Sequence, residues 1–252
     1  MKSFDELIKK IKEKKELSGI NDLLIRESLE KYLKKNKILL ENANIKDIKI
    51  IVKEIREILR KLSGRFQKSL KDRYDFLENS QIDELLMSHR STAERINFYP
   101  KLKEIIGSLN VHSILDLGSG LNPIALAKKD IFYYAVDING DDLMIVESYF
   151  KRNNIMGKTI NEDIRKIVHF PKVDLCLIFK VLDIIEKGHK TARSIIEKLE
   201  VKYLIISFAK KTLSGRKMRY PRRKWIENIL NKLNYKYEIF SSENELFYLA
   251  AK

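Results

Sequence analysis

The apolar positions of this chain change period near residue 110. Before that point they recur every three or four residues. Leu7, Ile8 and Ile11 form one group, Leu23, Leu24, Leu29 and Leu33 a second, and Ile48, Ile51, Val52, Ile55, Leu59 and Leu62 a third. Such spacing predicts amphipathic helices that bury one face. Ser3 and Glu6 make a capping-box pattern ahead of the first group, and Gly64 stops the third. Ser91-Thr92-Ala93-Glu94 predicts a further helix start, interrupted at Pro100. After Val111, apolar runs over 111–117, 131–136, 173–179 and 203–208 alternate with helical patterns over 122–129, 141–153, 181–199 and 221–233. This alternation predicts a parallel sheet with crossover helices. Residues 235–240 and 245–250 flank Ser241-Ser242-Glu243-Asn244, which reads as a hairpin ending in an antiparallel strand.

The first of these strand patterns carries the candidate chemistry. Asp116-Leu117-Gly118-Ser119-Gly120 follows it, Asn122-Pro123 opens a helical pattern, and the next strand ends in Asp137. Open α/β sheets bind ligands at the carboxyl ends of their strands, where an acid commonly holds ribose hydroxyls. The glycines are expected to let the backbone approach a ligand. The third glycine of a dinucleotide fingerprint is missing, and no Lys-Ser/Thr follows as in a phosphate-binding loop. The pattern therefore fits the nucleoside and amino-acid parts of S-adenosylmethionine better than a pyrophosphate. With the antiparallel last strand, it predicts an α/β class I (Rossmann-like) S-adenosylmethionine-dependent methyltransferase domain over 106–252. An all-helical domain over 1–105 precedes it.

Charge adds a partner. The formal net charge is +15 and the pI about 9.6, which favours an anionic partner. Residues 209–224 hold eight Lys or Arg and no acid, as many as the whole basic surplus of 111–252. This segment follows the strand pattern at 203–208, so it emerges at the ligand edge of the sheet. Lys210, Lys211, Arg216, Lys217 and Arg219 are candidate phosphate contacts. Arg65 and Lys68, from a basic cluster spanning Arg60 to Arg73, are candidates for remote RNA contacts. No run of 18 apolar residues and no signal-peptide core is seen, so a cytoplasmic protein without membrane partners is expected. The lone Cys176 excludes an internal disulfide and a cysteine-based zinc site.

Several segments together resemble the 16S rRNA guanine-N7 methyltransferases that confer aminoglycoside resistance. They are His89 to Arg95, Asp116 to Pro123, Leu177-Ile178-Phe179-Lys180-Val181-Leu182, Ser207-Phe208 with Leu213-Ser214-Gly215-Arg216, and Asn244 to Leu249. The similarity is collinear over about 85–252. The resemblance implies that Arg95, in the Ser-Thr-x-Glu-Arg motif, binds the methionine carboxylate. Gly118 and Gly120 would line the methionine, Asp137 the ribose, and Asp163 with Ile164 the adenine. Asp116, Ile138 and Lys180 complete the expected S-adenosylmethionine site. Ser119 stands where the family often has Cys, and Ala209-Lys210 where it has Pro-Thr. The implied partner is structured RNA, first the small ribosomal subunit, not DNA; the alternatives are the same fold methylating another structured RNA such as tRNA, or a catalytically silent RNA-binding assembly protein.

The residues agree with chemistry that needs no base. Guanine N7 carries a lone pair and no proton, so methyl transfer to it demands alignment rather than proton abstraction. The Asn/Asp-Pro-Pro-Tyr/Phe motif of exocyclic-amine methylation is missing, and Cys176 lies inside a strand pattern. His89, His112, His169 and His189 form no spaced constellation with acids, and no metal ligand set is expected.

Overall fold

The computed structural model describes residues 3–185, 189–212 and 215–252. Three helices open the chain: α1 (Phe4–Lys12), α2 (Asp22–Asn36) and α3 (Ile45–Leu62). Ser3 and Glu6 form the reciprocal cap of α1, and Asn44 with Asp47 does the same for α3. Their apolar stripes meet in a core of their own, built on Ile11, Ile25, Leu29, Ile51 and Ile55. Leu23 is an exception to its stripe. It is 65% exposed, because the buried face of α2 runs through Leu24, Ile25, Leu29 and Leu33.

Four further helices follow: α4 (Arg73–Glu78), α5 (Ile82–Met87), α6 (Arg90–Ala93) and α7 (Tyr99–Ser108). They pack on the sheet instead, through Leu77, Leu85, Leu86, Tyr99, Leu102 and Ile106. Ser91 is not a cap. His89 holds the cap position of α6, and Ser91 lies inside the helix, where its hydroxyl accepts from Arg95 Nη2. Pro100 lies in the first turn of α7, where a missing N–H costs nothing, so it starts a helix rather than interrupting one.

The remaining elements are β1 (Ser113–Leu117), α8 (Asn122–Leu126), β2 (Phe132–Asp137), α9 (Gly140–Asn153), β3 (Gly157–Asn161), β4 (Val173–Phe179), α10 (Leu182–Ile185), α11 (Lys190–Glu197), β5 (Val201–Ala209), α12 (Lys224–Lys232), β6 (Lys236–Ser241) and β7 (Glu245–Ala251). They form one seven-stranded sheet in the order β3-β2-β1-β4-β5-β7-β6. Strands β1 to β5 pair in parallel and β7 inserts antiparallel between β5 and β6. The centre strands are buried on both faces, consistent with helices covering both sides. Sequence pattern missed β3. Its residues Gly-Lys-Thr-Ile-Asn are exposed or half-buried at the sheet's edge, so they carry no apolar run. No helix among the described residues is long and apolar enough to cross a membrane.

Candidate functional site

The carboxyl ends of β1, β2 and β4 open into one cavity. Gly118, Ser119 and Gly120 line it from the turn after β1, Asp137 and Ile138 from the end of β2, and Phe179, Lys180 and Val181 from the end of β4. Asp163 and Ile164 close one side. His89, Ser91 and Arg95 close another, and Leu62, Ser63 and Phe66 reach in from the helical region. Eight of the nine residues expected to hold the donor thus share a cavity. Asp116 does not line it. It lies beneath the turn, where Oδ2 accepts from Asn122 Nδ2 and Tyr133 Oη, both at 2.7 Å. Burial pushes the Asp116 carboxyl up to about 6.

The two glycines that line the cavity also serve the protein's own packing. Gly118 and Gly120 have φ of 72° and 48°, a left-handed region that glycine enters without strain. A Cβ on Gly118 would lie 2.3 Å from Val181 Cγ2, and one on Gly120 would lie 2.9 Å from His89 Cε1. Both glycines make room for the protein's own side chains. The turn is then fixed by its neighbours: Gly118 and Ser119 N–H donate to Val136 O, and Gly120 N–H donates to Asp137 Oδ2 at 2.8 Å. Asn139 N–H donates to Asp137 Oδ1 at 2.9 Å. Burial, with Asp142 repelling nearby, raises the Asp137 carboxyl to about 7.

Arg95 is 1% exposed and spans the cavity floor. Its Nη2 and Nε donate to Glu245 Oε2 at 3.0 and 3.3 Å, and Nη1 reaches Asn122 Oδ1 at 3.3 Å. The guanidinium lies 4.7 Å above the Phe179 ring. Burial is the largest influence and works against its charge, but Glu245 and Tyr99 together hold Arg95 above the usual arginine range. Lys180, with φ of 59°, is a strained non-glycine residue at the end of β4. Its Nζ donates to Glu94 Oε2 at 2.6 Å and lies 3.6 Å from Glu245 Oε1. Asp163 is paired with Arg165, which overcomes burial and keeps it ionised.

Sequence reasoning missed His89, Phe66 and Glu245. Burial pushes the His89 imidazole down to about 4, so it is neutral at pH 7. It stacks on Phe66 at 6.0 Å, and its Nδ1 has no partner. Its place in the His89–Arg95 motif was the only signal. Six buried side-chain polar atoms among the described residues lack a hydrogen-bond partner, and two of them, His89 Nδ1 and Ser119 Oγ, belong to residues that line this cavity. Buried polar groups are ordinarily satisfied, so these two fit a polar ligand beside them. Among the described residues no group of His, Cys, Asp and Glu could hold a metal ion.

The basic segment is a small ribbon beside the cavity. Lys211 bridges to Lys217, Thr212 N–H donates to Arg216 O, and Gly215 turns at φ 84°. Leu213 and Ser214 lie outside the described residues. Arg216, Lys217 and Arg219 are exposed. Lys210 Nζ donates to Ser242 O at 2.7 Å, and Lys211 pairs with Glu243 at 2.6 Å. Arg65 is half-buried with its Nε unpartnered, and Lys68 is exposed. The rest of the basic cluster is partly structural. Arg73 is buried against Asp142, Gln67 and Ser88, and Arg60 pairs with Glu16 and Glu57.

The sheet order, the antiparallel β7 and a cavity at the strand ends define a class I methyltransferase. Residues 75–237 match the model of the ribosomal RNA methyltransferase (FmrO) family, and the chain belongs to that family. Among solved structures it is similar to the 16S rRNA methylase RmtB, at 20% identity over 99% of this chain and 98% of that one, with a TM-score of 0.79. It is also similar to the 16S rRNA methyltransferase RmtF in complex with S-adenosyl-L-homocysteine, at 19% identity over 100% and 99%, with a TM-score of 0.81. An rRNA methylase from Escherichia coli aligns at 20% identity over 99% and 100%, with a TM-score of 0.76. At these identities the likeness is one of fold. No curated protein matches the chain in sequence.

Proposed function

We propose that this rRNA methyltransferase uses S-adenosylmethionine to methylate guanine N7 in small-subunit rRNA near the decoding site. A cavity at the sheet's carboxyl edge, walled by the turn after β1 and the ends of β2 and β4, with His89 Nδ1 and Ser119 Oγ unpartnered on residues that line it, carries the donor assignment. Asp137, fixed by two backbone N–H groups, faces the ribose hydroxyls with its remaining lone pairs. Ile138, Asp163 and Ile164 border the adenine, and Gly118, Ser119 and Gly120 the methionine. Arg95 and Lys180 offset the methionine carboxylate, with Glu245 balancing them when the cavity is empty. Bound there, the donor supplies a methyl group whose bond to sulfur breaks as the N7 lone pair takes it. Guanine N7 loses no proton, so no side chain acts as a base. The neutral His89 accords with that, and the protein contributes alignment.

The helices over 1–105 and the domain over 106–252 divide the substrate between them in this reading. Lys210, Lys211, Arg216, Lys217 and Arg219 contact phosphates near the target base, while Arg65 and Lys68 contact the backbone farther away. The test incubates labelled S-adenosylmethionine with small ribosomal subunits and, separately, with tRNA, followed by borohydride/aniline cleavage, which reports 7-methylguanine. Label and cleavage at one small-subunit guanine are expected. Label confined to tRNA, or label without cleavage, overturns the target or the atom respectively.

A further inference from the structure

A second cavity adjoins the first and shares Phe66, Lys180 and Ile184 with it. The rest of its wall includes Arg65, Glu94, Met218 and Asn244, together with Lys211 of the basic ribbon. Anything held here lies next to the end of β4, where the donor cavity also ends. Phe66 offers an aromatic ring, already covered by the Arg65 guanidinium at 5.1 Å and stacked on His89 at 6.0 Å. Glu94 is a rigid acceptor. Arg90 Nε holds its Oε1 at 2.9 Å, Lys180 Nζ holds its Oε2 at 2.6 Å, and Asn244 Nδ2 ties its backbone carbonyl at 2.8 Å. Each carboxylate oxygen can still accept another hydrogen bond.

We propose that this second cavity receives a guanine turned out of the RNA, with Phe66 in the wall beside it and Glu94 accepting from its N1–H and N2–H groups. The assignment rests on the reading of the chain as an RNA methyltransferase. Enzymes that act on a base inside folded nucleic acid take it out of the stack and read its Watson–Crick edge in a pocket. Guanine alone among the four bases presents two adjacent donors on that edge, which is the complement of a carboxylate. Adenine and cytosine each place an acceptor there, and uracil flanks one donor with two acceptors, so a fixed carboxylate repels all three. Lys211, in the cavity wall, and the exposed Lys217, bridged to it in the basic ribbon, are placed for the flanking phosphates.

The experiment uses the full chain and two changes, Glu94→Gln in the protein and inosine in place of the methylated guanosine in reconstituted RNA. Inosine keeps N7 and N1–H but lacks the N2 amino group. Glu94→Gln is expected to bind S-adenosylhomocysteine within threefold of the wild type while kcat/KM on RNA falls at least 100-fold. The wild type is expected to methylate inosine RNA at least tenfold more slowly than guanosine RNA, and Glu94→Gln is expected to lose most of that discrimination. Wild-type kcat/KM in the variant, or equal rates of the wild type on both RNAs, overturns the proposal. The inosine comparison with wild-type protein decides the matter even if the variant fails to fold. A wild-type protein that neither binds S-adenosylhomocysteine nor labels RNA overturns the functional reading instead.

Discussion

Asp137 answers to two opposing demands. In the proposed reading its carboxylate accepts from ribose hydroxyls best when ionised, yet burial and Asp142 raise its folded pKa to about 7. An acid whose folded pKa exceeds its unfolded value keeps its proton in the native state over a range where the unfolded chain has lost it. Native stability from this group therefore falls as pH rises from about 4 to about 7. Asp137→Asn removes that penalty. The amide sets its NH2 against one of the two backbone N–H groups, a fixed cost, so thermal melts of the ligand-free protein should show the Tm of the variant gaining on that of the wild type by about 2 °C or more between pH 4 and pH 7.5. The same variant should lose about 1.5–3 kcal/mol of S-adenosylhomocysteine affinity by calorimetry. A Tm difference that stays constant with pH, together with unchanged affinity, would remove Asp137 from the site. Glu245 poses the converse case. It is fully buried and is the acid that pairs with Arg95 and also faces Lys180. Glu245→Ala leaves buried positive charge uncompensated and should cost about 3–5 kcal/mol in urea unfolding. A loss below about 1 kcal/mol would mean that solvent reaches the pair.

At the scale of elements, legibility followed burial. Strands β1, β4 and β5 advertise themselves because burial on both faces demands continuous apolar runs, and β2, half-buried on one face, still carries an aromatic and aliphatic run. The edge strand β3 makes no such demand and left no trace. The glycine turn and Asp137 were legible because their place at the strand ends is fixed by the alternation of elements. His89, Phe66 and Glu245 were not, because nothing local connects residues 66, 89 and 245; only the fold brings them together. Ser91 misled because a capping pattern is local, whereas His89 takes the cap position and Thr92 Oγ1 turns back to Leu86 O. The basic ribbon makes a separable prediction. Arg216 and Lys217 are exposed and line neither the donor cavity nor the one beside it. Reversing both to Glu should reduce methylation at least 100-fold and shrink the salt dependence of RNA binding, with S-adenosylhomocysteine affinity unchanged. Filter binding across a salt series checks it, and an unaltered slope would free the ribbon from any phosphate role.

At the scale of the molecule, the helical region and the sheet meet at the donor cavity itself. On the sequence alone, removing residues 1–75 is expected to weaken RNA binding and leave a domain that still holds the donor. The seam argues for a tighter coupling. Asn21 N–H donates to Ile138 O at 2.9 Å, Gly140 N–H donates to Gly19 O at 2.7 Å, and Ile20 bridges Asn139. Ile138 packs against the core of the first three helices, and Leu62, Ser63 and Phe66 form part of the cavity wall. The loop that follows Asp137 is thus held by the helices as much as by its own strand. A point substitution tests this without exposing a core. A Cβ on Gly19 would lie 2.2 Å from Asn139 Oδ1 and 2.5 Å from Asp141 Cγ, so Gly19→Ala must displace the Asp141 side chain and the Asn139 side chain that caps α9. The variant should lose at least tenfold in S-adenosylhomocysteine affinity although residue 19 lies outside the cavity. Gly107→Ala, with open space around its Cβ, is the matched control and should bind as wild type. Equal affinity in Gly19→Ala, with its near-ultraviolet circular dichroism unchanged, would show that the sheet domain holds the donor unaided and that the helices serve RNA alone.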